Sequence, residues 1–112
     1  MKQEIEHYEN RAVGHGTMHI ERLLVPEEMG PHVTMYAKVT IDPHASLGYH
    51  LHDGDAEAYY ILQGTAIYND NGEQRELQVG DITFTPSGKS HGIENPGDEP
   101  LVFMALIIKA DA

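Results

Sequence analysis

Eight short runs rich in β-branched, aromatic and aliphatic residues, at 18–25, 33–41, 48–52, 57–62, 65–70, 75–79, 81–85 and 101–108, dominate the sequence. Clusters of Gly, Pro, Asn and Asp separate them, among them PEEMGP, DPHASLG, DGD, NDNGE and PSG. Branched and aromatic side chains favour extended backbone, and the intervening residues supply the φ angles that chain reversals need. So many short strands within 112 residues leave room for one core, which points to an all-β, single-domain antiparallel jelly-roll β-barrel over 1–112. Asn71-Gly72, between TAIYND and EQRELQV, is the strongest hairpin signal, because both residues tolerate the positive φ of a two-residue turn. A short polar helix is expected over EIEHYENR at 4–11.

Any metal in this chain has to be held by nitrogen and oxygen, since there is no cysteine; disulfides and iron–sulfur clusters are excluded on the same ground. Eighteen acidic against seven basic residues give a formal charge of −11. That balance repels phosphate backbones and anionic lipid, so neither nucleic acid nor membrane is an expected partner. The N-terminal stretch has no apolar signal core, and the longest apolar run, LVFMALII at 101–108, is far below the ~20 residues of a membrane span. A soluble cytoplasmic protein is the expectation.

The densest chemistry lies in SLGYHLHDGDAEAYYILQG, residues 46–64. Residues two apart in a strand share a face at a separation of roughly 6.5 Å. His50 and His52 therefore point the same way and can converge on one ion at metal–nitrogen distances of about 2.0–2.1 Å. Asp53-Gly54-Asp55-Ala56 can reverse the chain and return the Glu57 carboxylate to the same ion, with Tyr59 and Ile61 on the face of Glu57. Further on, GDITFTPSGKSHGIEN at 80–95 places His91 just after the Pro86-Ser87-Gly88 turn, a rigid mount for a fourth ligand.

These two stretches resemble the paired motifs of the cupin family. The first motif, H-x-H, three or four residues, Glu, six residues and Gly, is matched within 44–64 by His50, His52, Glu57 and Gly64. The second, G-x5-P-x-G-x2-H-x3-N, is matched within 80–95 by Gly80, Pro86, Gly88, His91 and Asn95. His44 stands where the family usually has a glycine six residues before the first histidine. The resemblance implies a β-barrel of six or more strands, a divalent metal on His50, His52, Glu57 and His91, and homodimers formed through edge strands. The chain also looks like short oxalate-decarboxylase-like cupins. Two features of oxalate decarboxylases differ here: Leu47 replaces their arginine three residues before the first histidine, and VFMALIIKADA has no glutamate to match their lid acid.

Three neutral imidazoles and one carboxylate leave a divalent ion with net charge +1 and two octahedral positions for water or ligand, which favours small anionic chelators. Manganese or iron suits such a site best, and nickel, cobalt, copper and zinc accept the same donors. The leading expectation is a metal-dependent enzyme on a small carboxylate, keto-acid or sugar-derived substrate, of decarboxylase, dioxygenase or isomerase type. Tyr59 is its candidate catalytic residue, orienting substrate or relaying a proton. A non-catalytic metal-dependent ligand-binding or sensor module is the alternative, and an assembly unit with an incidental metal or a plain hydrogen-bonded cluster the blander readings. Tyr36, Tyr60, Phe84, Phe103 and Met104 read as core residues. Arg22 and Lys38 read as rim bases able to meet a carboxylate, and Asp53 and Asp55 as solvated turn residues with support of the metal ligands as the alternative. His7, His15, His19, His32 and His44 read as exposed or turn residues.

Overall fold

The computed structural model describes residues 4–110. Its strands are β1 (Glu6–Glu9), β2 (Thr17–Arg22), β3 (Val33–Ile41), β4 (Ser46–Leu51), β5 (Asp55–Gln63), β6 (Ala66–Asp70), β7 (Glu73–Leu77), β8 (Ile82–Thr85), β9 (Ser90–Glu94) and β10 (Leu101–Lys109). They form two antiparallel sheets, one of six strands in the order β1-β2-β3-β10-β5-β8 and one of four in the order β4-β9-β6-β7. This is the expected jelly roll. Among the described residues, no helix is long and apolar enough to cross a membrane.

Period-two alternation decides which side chains meet between the sheets. β3 buries Met35, Ala37, Val39 and Ile41, β10 buries Leu101, Phe103 and Ala105, and β5 adds Tyr59 and Ile61; Leu47, Tyr68 and Ile93 face them from the smaller sheet. Phe103 is in the core as expected. Tyr36, Tyr60 and Phe84 are not: they have the opposite parity to Met35, Tyr59 and Thr85 and stand exposed on the outer face.

Asn71 and Gly72, at φ 52° and 98°, close the β6–β7 hairpin on the pair Asp70↔Glu73. The helix expected over 4–11 does not form. Residues 6–9 pair with β2, His7 opposite His19, and a 3-10 turn follows at Arg11–Val13; the ladder offered by a neighbouring strand outweighs a weak helical period. PEEM instead forms one turn of helix, α1 (Pro26–Met29), with Pro26 at its start and the Glu28 carboxylate accepting from the Val25 N–H at 3.0 Å. The Gly14 and Gly16 neighbourhood keeps His15 and His19 off a helix, as expected; His19 lies on β2.

Two positions explain how the first motif keeps its loop. His44 takes φ +63°, the left-handed conformation a glycine would adopt freely, with its Nε2 2.7 Å from Asp98 Oδ1. Gly48 is required by crowding, because a Cβ there would lie 1.7 Å from the Ala12 carbonyl oxygen. That close approach, with the reciprocal His15–Ser46 backbone bonds of 3.2 and 2.6 Å, clamps residues 10–16 onto β4. Gly48→Ala is therefore expected to cost about 3 kcal/mol through overpacking. His44→Gly should change stability by no more than about 1 kcal/mol, relief of left-handed strain offsetting loss of the exposed contact with Asp98. Urea unfolding of the two variants measures both, and a Gly48→Ala protein as stable as wild type would contradict the clamp.

Candidate metal centre

The edge strand β4 of the smaller sheet and its neighbour β9 set His50 directly opposite His91. His52 follows the end of β4, and Glu57 enters from β5 of the larger sheet. One ligand atom from each of the four lies within 4.8 Å of all the others. His52, Glu57 and His91 are buried and His50 is half-buried.

The outer nitrogen of every ring is tied down. His50 Nδ1 donates to the Gly48 carbonyl at 2.7 Å, His52 Nδ1 donates to Asp55 Oδ1 at 2.8 Å, and His91 Nδ1 meets the hydroxyls of Tyr68 and Thr85 at 2.8 and 3.0 Å. With Nδ1 protonated, each Nε2 presents a lone pair inward. His91 Nε2 is 2.9 Å from His52 Nε2 and 3.1 Å from His50 Nε2, while Glu57 Oε1 lies 3.0 Å from His52 Nε2 and 3.2 Å from His91 Nε2. Lone pairs packed this closely repel unless a proton or a cation sits among them. Neighbouring donors on one ion at about 2.1 Å, set at right angles, would be about 3.0 Å apart, so the donor set and its spacing fit a divalent metal.

The electrostatics of the cluster pull its members apart. Burial holds the His50 imidazole below the ordinary histidine range. The Glu57 carboxylate, against the cost of burial and with help from Asp55, raises His52 above it. Burial opposes ionisation of Glu57, yet the imidazoles of His52 and His91 outweigh it and hold the carboxyl below its usual range. The cluster thus keeps a carboxylate in the core only with positive charge among the Nε2 atoms, a proton on an imidazole in the metal-free protein or a cation in its place.

Tyr59 is buried, its ring stacked on that of His91 at 4.9 Å between centroids and tilted against Phe103 at 4.4 Å. Burial, with the Glu57 charge, pushes its phenol well above the normal tyrosine range, so it stays protonated. Arg22, at the inward-facing end of β2, is held by Glu6 at 2.6 Å, and Arg11 lies 4.0 Å over the Tyr8 ring. Lys38 faces outward and approaches Glu21. Asp55 corrects its sequence reading as a solvated turn residue: it opens β5 and anchors His52. Asn95, the last residue of the second motif, belongs to the scaffold, its Nδ2 donating to the carbonyls of Ile41, Asp42 and Glu99 at 3.0, 3.2 and 2.7 Å. Thr85 and Tyr68 escaped sequence reasoning altogether. The pairing of β5 with β8 puts Thr85 opposite Glu57, and that of β6 with β9 puts Tyr68 opposite Ile93, two residues from His91; only these long-range pairings bring the two hydroxyls to His91.

A jelly roll with three histidines and a glutamate converging between its sheets defines a class of small β-barrel proteins with a candidate divalent-metal site. The chain belongs to the cupin family, whose domain model matches residues 37–107, a span that includes all four side chains. It is 40% identical over 103 residues to an oxalate-binding protein of Thermotoga maritima, covering 92% of this chain and 85% of that protein. Oxalate decarboxylase OxdC of Bacillus subtilis is 36% identical over 75 residues, a match to 62% of this chain and only 20% of OxdC, so the chain spans about a fifth of that enzyme. A crystal structure described as a predicted oxalate decarboxylase from Thermotoga maritima superposes with a TM-score of 0.91 at 39% identity, over 95% of this chain and 92% of that one. KdgF from a Halomonas species shares the fold alone, at TM-score 0.74 and 21% identity over 99% of this chain and 87% of that one.

The Asp55–His52 contact gives a pH signature in metal-free protein. A histidine whose folded pKa is raised contributes stability that is fully present below its unfolded value, about 6.5, and lost as pH rises through the folded one. Asp55→Asn should therefore destabilise the metal-free protein more at pH 5.5 than at pH 8.5 and move the His52 titration, followed by NMR, to lower pH. An unmoved titration would show that Asp55 does not hold His52.

Proposed function

We propose that this cupin binds a small carboxylate at a divalent metal held by His50, His52, Glu57 and His91. The observation that carries the reading is the convergence of three anchored Nε2 lone pairs and one carboxylate at the wall of an open cavity, lined by His50, His52, Glu57 and Tyr59. When bound, the ion supplies Lewis acidity and open positions for anionic oxygen, with manganese or iron favoured by their octahedral preference. The chain's own groups fix the imidazoles, keep Glu57 ionised and exclude bulk water from the inner side. The oxalate-binding and oxalate decarboxylase names of the relatives agree with a small anionic ligand.

A catalytic reading rests on Tyr59. Decarboxylation leaves a carbanion-like centre that has to be protonated, and Tyr59 is a protonated phenol lining the same cavity. Tyr59→Phe separates the two readings. In a binding protein the variant keeps oxalate affinity and there is no product to lose; in an enzyme, turnover falls by about a hundredfold with affinity nearly unchanged.

Elemental analysis of protein purified without a metal-affinity step tests the foundation. Near one equivalent of manganese or iron is expected, absent from a His50→Ala/His91→Ala variant. Loaded protein should gain thermal stability with oxalate. Absence of metal from both proteins after reconstitution would remove the reading.

We further place this protein in the cytoplasm as a homodimer, joined through the outer face of the larger sheet rather than through its edges. Across β3, β10, β5 and β8, Tyr36 stands opposite Leu106, Tyr60 opposite both Met104 and Ile82, and Ala58 opposite both Leu106 and Phe84. Ile82, Phe84 and Tyr60 are 67%, 57% and 46% exposed. In a chain of net charge −11, this band carries one cation, Lys38 opposite Met104 and close to Glu21, and no acid, so two copies can meet there without opposing their excess negative charge. A Tyr60→Glu/Phe84→Glu variant should sediment as a monomer while wild type sediments as a dimer; equal masses would refute the interface.

A further inference from the structure

The cavity beside the four-residue cluster is much larger and less polar than a two-carbon diacid requires. It measures about 430 Å³, against the roughly 150 Å³ that accommodates benzene, a molecule of six heavy atoms like oxalate. Oxalate and the waters of one ion would leave a large part of it vacant. Met18, Ile20, Met35, Val39 and Phe103 form its walls beyond the cluster, with Ile107 beside Glu57, and none of these side chains offers an N–H or O–H to a ligand. The cationic groups that line it, Arg22 and Arg11, already have partners, Arg22 the Glu6 carboxylate and Arg11 the face of Tyr8. Tyr8 itself donates to Glu6, so Arg11, Tyr8, Glu6 and Arg22 make one continuous run of contacts.

Each class of ligand meets these walls differently. A sugar acid would bury hydroxyls against carbon and sulfur, at about 1–3 kcal/mol for each one left without a partner. A second carboxylate reaching Arg22 would find its charge already matched by Glu6 and would sit beside that carboxylate, like charge against like. A hydrocarbon tail meets neither penalty and gains from leaving water.

We propose that the site selects a chelating acid with an apolar tail: a carboxylate with an adjacent oxo or hydroxyl oxygen as the head, and an aliphatic or aromatic group of about six carbons lying along β2, β3 and β10. This rests on the metal-and-carboxylate reading above and narrows it, setting aside sugar-derived ligands and leaving oxalate as a head without its tail.

Calorimetry on manganese-loaded full-length protein tests the idea with four probes: oxalate, pyruvate, phenylpyruvate and gluconate. The same acids titrated into free manganese correct for chelation by the head alone. Phenylpyruvate should bind at least tenfold more tightly than pyruvate after that correction, and gluconate no better than pyruvate. Val39→Phe and, on the neighbouring strand, Ile20→Phe should each cut the phenylpyruvate advantage to threefold or less. Oxalate affinity within twofold of wild type in these variants reports that the fold and the metal are intact. Equal affinities for pyruvate and phenylpyruvate beside normal oxalate binding would overturn the tail site and leave the acid-binding reading standing. Failure of every acid, oxalate included, to bind loaded protein would overturn both.

Discussion

Everything near the site depends on the fixing of three imidazoles from behind. A lone pair can be presented to the interior of a packed protein only if the other ring nitrogen is satisfied, and each ring uses a different partner: the Gly48 carbonyl, the Asp55 carboxylate, and the hydroxyl pair of Tyr68 and Thr85. His91 is the most constrained of the three. It is fully buried, lies opposite His50 in the ladder, and packs under the ring of Tyr59. Removing the hydroxyl pair would leave a buried N–H without a partner as well as freeing the ring to turn.

The larger sheet does two jobs through the two parities of its strands. Inward residues of β2, β3 and β10 make the apolar wall of the cavity, and outward residues of β3, β10, β5 and β8 make an outer band of aromatic and aliphatic side chains around Lys38. Tyr59 and Tyr60 are neighbours in sequence and serve opposite sides. A one-residue slip of β5 against β10 would exchange them and carry Glu57 out of the site, so the register of that pair fixes the core and the cluster together.

Several features of this arrangement are legible without coordinates. Alternating runs and turn clusters indicate an all-β jelly roll, and Asn71-Gly72 marks its clearest hairpin. The spacing of His50, His52, Glu57 and His91 brings four donors of the right types into two short stretches, where strand and turn geometry is local. Asn95 shows the limit of reading by motif: its position is that of a site residue, yet its contacts hold three backbone carbonyls. Residues 6–9 show another limit, since their strand exists only because β2 lies beside them.

The sequence by itself determined the donor chemistry and the strand alternation, because both follow from residue type and from periods of one or two residues. Only the tertiary structure decided which hydroxyls stand behind His91, that Asp55 holds His52, that Tyr60 and Phe84 face outward while Tyr59 faces the cavity, and how wide and apolar that cavity is. Those properties belong to pairs of strands distant along the chain. Long-range register and the spacing of two packed sheets set them, and neither quantity is written in any single segment.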